Sequence, residues 1–192
     1  MEIVQIVNTV FSSNTYVLRE EGMDWCWLVD VGDVDPVLEC IGGDVTIRGV
    51  FLTHAHYDHL YGINRLIDLF PQCVVYTSEA GVEGIYSDKL NFSKYHDDSV
   101  VFKGDHVGVV CDGDRIELFP ETPGHDKSCL TYYTESVVFS GDSFIPGVKV
   151  ITTFPRSDKQ EAARSVEKIL KLAEGRDLYP GHGDVTAGKI VF

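Results

Sequence analysis

The strongest signal in the sequence is the segment Leu52-Thr53-His54-Ala55-His56-Tyr57-Asp58-His59-Leu60. It places three histidines and one aspartate within six positions, directly after the apolar run 49–52. Imidazole and carboxylate groups together suit zinc or iron, and four such groups exceed what one metal ion usually takes from a single loop. Because alternate side chains of an extended segment share a face, His54 and His56 are expected to point the same way. The segment predicts a site for two adjacent metal ions, with a solvated histidine-rich loop as the alternative.

Three later motifs each place one further metal-binding type of side chain in a glycine-containing turn after a short apolar run. They are the segments 121–125 (ETPGH), 137–142 (VVFSGD) and 178–183 (LYPGHG). A rigid scaffold presents functional groups at such strand ends. The four segments together supply seven candidate ligands, namely His54, His56, Asp58, His59, His125, Asp142 and His182.

The order and wording of these motifs (THAHYDH, TPGH, SGD, PGHG) resemble the metallo-β-lactamase superfamily, and most closely its glyoxalase II (hydroxyacylglutathione hydrolase-like) branch. The resemblance runs from Asp30 to about Gly183. It implies an α/β (α+β) fold, a four-layer αββα sandwich of two mixed β-sheets with helices on the outer faces. We expect residues 1–192 to form a single domain of this fold, with metal ions at one edge between the sheets.

The resemblance also implies how the candidate ligands are shared between two metal ions. Three protein ligands and a bridging group leave each ion an open position for water, as in catalytic sites. Two ions that share a water lower its pKa, supply hydroxide at neutral pH and polarise a substrate oxygen. Asp58, as a ligand that orients the hydroxide, and the bridging Asp142 are the predicted catalytic residues. The implied sets are His54, His56 and His125 for the first ion, Asp58, His59 and His182 for the second, and Asp142 for both.

Other residues are predicted to support this site. Asp30 ends a strand in the segment 29–33, and we expect it to fix the histidine loop by hydrogen bonds, with Thr53 orienting ligands through its hydroxyl. Lys127 is a candidate contact for a substrate carboxylate, with a solvated turn lysine as the alternative. The glycines at 124 and 181 are expected to serve backbone conformation.

The predicted function is hydrolysis of a thioester or a similar activated acyl compound by a dinuclear zinc site, with iron or manganese as other possible metals. Glyoxalase II typically adds a helical C-terminal domain that grips glutathione, whereas this sequence ends ten residues after His182. It also reads TPGHDKS over 122–128, where that branch has TPGHTxG. The substrate therefore stays open.

Four other functions are weighed against this prediction. A lactone or phosphodiester hydrolase could use the same site. A mononuclear iron persulfide dioxygenase would use the His54, His56 and Asp142 positions. A non-catalytic ligand-binding descendant is disfavoured, because all seven ligand positions hold competent residues. β-Lactamases of the best-known zinc class are disfavoured, since they have a cysteine where Asp142 stands.

Composition narrows the class of protein further. The chain has 192 residues, of which 44% are hydrophobic and 24% charged, as in globular proteins. A formal net charge of −14 argues against a nucleic-acid partner and leaves a small molecule as the expected one. No apolar stretch approaches the length of a membrane span, and residues 1–5 lack a signal-peptide pattern, so a cytoplasmic location is expected. The five cysteines form no CxxC pair and are expected to be reduced, and the oligomeric state is not readable.

The pattern of apolar residues predicts two β-rich halves, each with helices. Ser157, with Gln160 three positions on, predicts the start of a helix that Gly175 ends. Residues 79–110 are the least regular part and are expected to form a lid or substrate loop, with His96 and His106 at the surface or in satisfied polar contacts. Strands are predicted at 4–7, 14–18, 25–31, 50–52, 73–76, 109–111, 115–120, 129–134, 136–139 and 177–179, and two earlier helices at 35–42 and 60–70.

Overall fold

A computed structural model describes residues 1–110 and 120–187 of the chain. In these residues it contains nine β-strands, four α-helices and two 3₁₀ turns, at Tyr57–His59 and Ser93–His96. The helices are α1 (Val34–Ile41), α2 (Ile63–Leu69), α3 (Glu79–Ile85) and α4 (Lys159–Leu172). The strands are β1 (Glu2–Val7), β2 (Asn14–Arg19), β3 (Trp25–Val29), β4 (Thr46–Phe51), β5 (Val74–Thr77), β6 (Val107–Val109), β7 (Tyr132–Tyr133), β8 (Val137–Gly141) and β9 (Asp177–Pro180).

The strands form two mixed sheets, as the sequence predicts. The larger sheet has the order β1-β2-β3-β4-β5-β6, and the smaller sheet has the order β7-β8-β9. In the larger sheet β1, β2 and β3 pair antiparallel, and β3 to β6 pair parallel. In the smaller sheet β8 pairs antiparallel with β7 and parallel with β9.

Alternation of side chains along the strands produces four layers. Because successive residues of a strand face opposite sides, Leu28 and Val50 pack under α1, α2 and α3, while their neighbours Val29 and Phe51 face the smaller sheet. In the same way Phe139 of β8 faces the larger sheet and the adjacent Val138 packs against Ile169 of α4. The order of layers is therefore helices, larger sheet, smaller sheet and helix, which confirms the predicted αββα arrangement.

Several predicted boundaries shift in the structure. Helix α2 begins at Ile63, later than predicted, because Tyr57–His59 forms a separate 3₁₀ turn. Helix α4 is capped by Asp158, whose carboxylate accepts hydrogen bonds from the backbone N–H groups of Gln160 and Glu161, so the prediction of Ser157 as the cap is wrong. Carboxylates and hydroxyls are both good caps, and the adjacent pair made the choice ambiguous. Residues 111–119 lie outside the described residues. They include all but the last residue of the strand predicted at 115–120, and the last residue of the strand predicted at 109–111.

The two sheets bring the four motifs to one edge of the molecule. The segment 53–59 follows β4, Asp142 follows β8 and His182 follows β9. Strands β8 and β9 are parallel, so the turns after them lie side by side. Within the described ranges, no helix combines the length and the apolar composition that crossing a bilayer requires.

Candidate metal centre

The seven predicted ligand side chains come together at this edge, and we call them the metal centre. Within three groups of them, the ligand atoms all lie within 4.8 Å of one another. The groups are His54, His56 and His125; Asp58, His59 and His182; and His54, His59 and Asp142.

The first group consists of three imidazole rings in edge contact. His56 Nδ1 lies 3.0 Å from His125 Nε2, and the ring centroids of His54 and His56 are 4.6 Å apart. The Nε2 atom of His54 is buried and has no hydrogen-bond partner among the described residues. Three ring nitrogens therefore point into one small volume.

The second group combines two imidazoles with a carboxylate. Asp58 Oδ2 lies 3.3 Å from His59 Nε2 and 3.2 Å from His182 Nε2. The two histidine nitrogens are 3.3 Å apart. These three atoms form a compact triangle beside the first group.

Asp142 lies between the two groups and contacts both. Its Oδ2 atom is 3.6 Å from His125 Nε2 and 3.4 Å from His182 Nε2, and its Oδ1 atom is 3.5 Å from His59 Nε2. Gly181 leaves room for this carboxylate, since a Cβ atom there would lie 2.1 Å from Asp142 Oδ1. The role of Gly181 is therefore steric clearance, whereas Gly124, with φ of 133°, also has the backbone conformation that favours glycine.

Asp30 and Thr53 hold two of the rings from behind. Asp30 Oδ1 accepts a hydrogen bond from Thr53 N at 2.7 Å, and Asp30 Oδ2 lies 2.7 Å from Thr53 Oγ1 and 2.9 Å from His59 Nδ1. Thr53 Oγ1 in turn lies 3.1 Å from His54 Nδ1. Asp30 has a left-handed backbone (φ 57°), which turns its carboxylate under the histidine loop.

These contacts settle which ring nitrogen is free. A neutral histidine donates through one nitrogen and offers a lone pair on the other. His54 and His59 donate through Nδ1 to Thr53 and Asp30, and His125 donates through Nδ1 to the backbone carbonyl of Ile151 at 3.0 Å. In each of the three rings, Nε2 is left facing the metal centre, as is usual for metal-binding histidines.

Two of the supporting groups were not identified from the sequence. Asp126 is buried, accepts hydrogen bonds from Ser128 N (2.8 Å) and Ser128 Oγ (2.6 Å) on Oδ1, and places Oδ2 3.7 Å from His56 Nε2. The signal for it was the departure of TPGHDKS from the glyoxalase II pattern, which puts a carboxylate directly after His125. No sequence pattern indicates the carbonyl of Ile151, because every residue has a backbone carbonyl.

The loop that carries His182 is anchored to strand β2. Asn14 N donates to Gly181 O at 2.7 Å, and Asn14 Nδ2 donates to Pro180 O at 3.0 Å. The buried hydroxyl of Tyr16 donates to the same Pro180 carbonyl at 2.6 Å. The last ligand is therefore positioned by the second strand of the chain.

Burial and neighbouring charges separate the pKa values of the histidines. Burial, followed by the neighbouring imidazoles, holds the pKa of His54 well below its usual value. Burial alone would lower the pKa of His182, yet hydrogen bonds to Asp142 and Asp58 raise it to about 9. His59 is likewise buried, but Asp58, Asp142 and Asp30 raise its pKa well above the usual range. Without a metal, the carboxylates thus hold protons on the second group, while the first group contains a neutral ligand.

The donor set of the metal centre fits divalent cations. His54 Nε2 and Asp142 Oδ1 are buried and have no hydrogen-bond partner among the described residues, and buried polar atoms without hydrogen bonds are rare in folded proteins. A cation at the centre would satisfy both atoms. Imidazole nitrogens and carboxylate oxygens accept zinc, iron and manganese, so the donor set leaves the identity of the metal open.

A cavity of about 420 Å³ opens above the metal centre. His56, Asp58, His125, Asp142 and His182 form its floor. Its sides are formed by Ile151 and by six ring-bearing residues, which we call the aromatic wall: Phe11, Tyr57, Phe92, Tyr95, His96 and Phe154.

Lys127, His106 and Cys129 lie outside the cavity lining. Lys127 is exposed and is not one of the lining residues. His106 is exposed beside Asp105, whereas His96 belongs to the aromatic wall. Cys129 is fully buried and burial raises the pKa of its thiol, which makes it a poor nucleophile. The four described cysteines are free thiols, and Cys111 lies outside the described residues.

Comparison with known proteins identifies the family. The family model described as "Metallo-beta-lactamase superfamily" matches residues 8–182. The chain belongs to this superfamily. The match includes all seven residues of the metal centre as well as Asp30 and Thr53.

Among curated relatives, the hydroxyacylglutathione hydrolase of Salmonella typhi is 32% identical over 127 residues, which are 64% of this chain and 43% of that protein. The chain thus spans less than half the length of this relative. Among solved structures, the BLEG-1 B3 metallo-β-lactamase has a TM-score of 0.84 at 26% identity, covering 96% of this chain and 93% of its own. The protein TTHA1623, solved in a di-iron-bound form, has a TM-score of 0.79 at 22% identity, covering 95% and 93%.

Proposed function

We propose that this protein is a hydrolase that uses two divalent metal ions, with zinc as the proposed metal, to cleave thioesters or similarly activated acyl compounds. The observation that carries the proposal is the position of Asp142, which contacts both His125 of the first group and His182 of the second. A carboxylate shared by two ligand groups suits a pair of ions that act together. Superfamily membership and the relative named hydroxyacylglutathione hydrolase support the hydrolytic reaction class.

The proposed ligands follow the geometry of the groups. Asp142 is the bridging ligand. Asp30, Thr53 and the carbonyl of Ile151 fix the orientation of the rings that they contact. The Asp126 carboxylate faces His56 Nε2 at 3.7 Å, which is a charge contact and not a hydrogen bond. The first ion takes His54, His56 and His125, and the second takes Asp58, His59 and His182.

Two bound divalent ions would lower the pKa of a water molecule and polarise the substrate carbonyl. Asp58 lies at the floor of the cavity and would accept a hydrogen bond from the attacking water, which orients it toward the carbonyl carbon. The carbon–sulfur bond breaks, the thiol leaves with one proton, and the carboxylic acid keeps the oxygen of the water. The aromatic wall and Ile151 shield the reacting carbonyl from bulk water.

The proposal is tested by metal content and turnover together. Protein purified without chelator is expected to contain about two zinc ions per chain and to hydrolyse S-D-lactoylglutathione or a neutral thioester. Asp58→Ala is expected to lose this activity, with an unchanged circular dichroism spectrum. Retained turnover in Asp58→Ala would contradict the assigned site.

Other outcomes of the same measurements point to the alternatives. One iron per chain, with oxygen consumption on glutathione persulfide, would replace hydrolysis by a dioxygenase reaction. Hydrolysis of a lactone or a phosphodiester, with no thioesterase activity, would retain the metal centre and replace the substrate class.

A further inference from the structure

We infer that the cavity above the metal centre selects substrates with an uncharged aromatic acyl group, and that it does not recognise glutathione. The inference rests on the proposed hydrolytic function and adds the chemical class of the substrate. Four observations carry it: the composition of the wall, the packing of its rings, its backbone conformation and the charge around it.

The aromatic wall is continuous from the metal centre to the surface. Phe154 contacts His56 and His125 with ring centroids 5.1 and 5.4 Å apart, and Phe92 contacts both His56 (4.9 Å) and Phe154 (5.3 Å). Further out, Tyr95 lies 6.3 Å from Phe92. A ligand ring above the scissile carbonyl would therefore contact ring faces and edges at spacings that favour aromatic pairs.

In a second group of lining rings, Tyr57 and His96 stack with centroids 5.5 Å apart and an angle of 10° between their planes. Phe11 joins this group by an edge contact with His96 at 5.0 Å. The cavity is thus lined by rings from the loop after β1, the 3₁₀ turns at 57–59 and 93–96 and the loop after β8. A volume of about 420 Å³ accommodates a phenyl-bearing acyl chain together with part of its leaving group.

Two residues of the wall have a backbone conformation that bulky side chains avoid. Phe11 and Phe92 have φ values of 52° and 69°. Left-handed backbone is strained for an L-residue, because its Cβ lies too close to the following carbonyl oxygen. Such strain persists where the surrounding structure fixes it, commonly at ligand-binding sites. In both cases the strained residue contributes a ring to this cavity, and the side chain of Phe11 is left 59% exposed at its mouth.

The charge around the cavity disfavours binding of a substrate whose leaving group is an anionic peptide such as glutathione. Among the described residues, the side chains that line the cavity include no lysine or arginine. At the rim, Asp98 accepts a hydrogen bond from Tyr57 at 3.0 Å. Glutathione carries two carboxylates, and this lining has neither of the two side chains, lysine and arginine, that form the strongest hydrogen bonds to carboxylates. The formal net charge of −14 acts in the same direction.

The test compares two neutral thioesters that share one leaving thiol, S-phenylacetyl- and S-acetyl-N-acetylcysteamine, on the zinc-loaded protein. We expect kcat/KM to be about tenfold or more higher for the phenylacetyl compound, and S-D-lactoylglutathione to be a poorer substrate than it. Tyr95→Ala, which removes an exposed ring of the wall, is expected to reduce the phenylacetyl-to-acetyl ratio about two- to tenfold. Tyr86→Ala is the matched control, because Tyr86 is an exposed tyrosine outside the cavity and its loss should leave the ratio unchanged.

A binding experiment separates this inference from the proposed function. The ketones in which a methylene replaces the thioester sulfur cannot be hydrolysed, and their affinities for the zinc-loaded protein are measured by calorimetry. If neither thioester is cleaved but the phenyl ketone binds more tightly than the methyl ketone, and Tyr95→Ala removes the difference, the hydrolytic function is wrong and the cavity assignment stands. Equal affinities of the two ketones, equal rates for the two thioesters or a preference for the glutathione thioester would each overturn the inference.

Discussion

The metal centre has side chains such as His54 and His59 that are fully buried, whereas Phe11 and Tyr95 of the aromatic wall are 59% and 68% exposed. The rings of the centre are held by hydrogen bonds from the ends of strands. The aromatic wall is held by ring contacts between loops. A buried, closely packed cluster tolerates little change, while exposed loop residues can be exchanged at small cost in stability. Under the proposed function, we expect changes in the centre to affect the reaction and changes in the wall to affect the choice of substrate.

The largest expected effect comes from removing the carboxylate that joins the two ligand groups. Asp142→Ala should reduce kcat/KM by more than the roughly 10- to 100-fold that is typical of residues which only support a ligand. Zinc content should fall below two ions per chain, and elemental analysis measures it. If the variant keeps a turnover within tenfold of the unchanged protein, the metal centre tolerates substitution as well as the aromatic wall does.

The next prediction concerns the space beside Asp142. Gly181→Ala would place a methyl group 2.1 Å from Asp142 Oδ1 and so displace the carboxylate. We expect zinc affinity, measured by competition with a chelator, to fall about 10- to 100-fold. Gly43→Ala is the matched control, since its Cβ would meet nothing within 4 Å. Equal affinities of the two variants would contradict the close packing of the centre.

The pKa of His182 predicts how metal binding depends on pH. Asp142 and Asp58 raise this pKa to about 9, so the metal-free site holds a proton at pH 7 that a bound ion must displace. Apparent zinc affinity should therefore rise about tenfold per pH unit for each proton released, and the contribution of the His182 proton should level off above about pH 9. Calorimetry in buffers of different ionisation enthalpy measures the proton count. A count of zero at pH 7 would exclude this charge arrangement.

Asp126 allows a test of whether a carboxylate behind the first ligand group affects metal binding. Asp126→Asn removes the charge that faces His56 Nε2 at 3.7 Å and Arg156 Nε at 3.6 Å. Zinc affinity is expected to fall about tenfold, the lower end for groups that support a ligand. Glu83→Gln removes the other carboxylate near Arg156 without touching His56, and should leave the affinity unchanged. Equal losses in both variants would assign the effect to Arg156.

The smallest effect is expected outside both regions. Lys127 is exposed and does not line the cavity, so Lys127→Ala should change KM for S-D-lactoylglutathione by no more than about twofold. A rise of KM by fivefold or more would restore Lys127 as a substrate contact and would weaken the separation between the aromatic wall and the rest of the surface.

The clustering of the seven candidate ligands was predictable from the sequence, because they are chemically distinctive side chains in short motifs. His54 to His59 follow an apolar strand, and Asp142 and His182 stand in glycine turns, so residue type and local pattern both point to the site. The two sheets followed from the same resemblance, and alternation along β3, β4 and β8 accounts for their layers.

The aromatic wall could not be predicted in the same way. Phenylalanines are common in cores, and nothing local indicates that Phe11 and Phe92 take left-handed backbone and turn toward one cavity. Asp126 was visible only as a departure from a family pattern, and the Ile151 carbonyl not at all. Adjacent residues with similar propensities, such as Ser157 and Asp158 before α4, were also beyond the resolution of sequence reasoning.

The anchoring of the His182 loop on β2 has a consequence for the order in which the molecule assembles. Asn14 bonds to the Pro180 carbonyl across 166 residues of sequence, and this contact positions the last ligand. Contacts of such separation form late in folding, because a long loop must close before they contribute. Chains are synthesised from the N-terminus, so Asn14 of β2 is made long before the loop that it binds. The seven side chains of the metal centre therefore cannot come together in a nascent chain until residue 183 has left the ribosome.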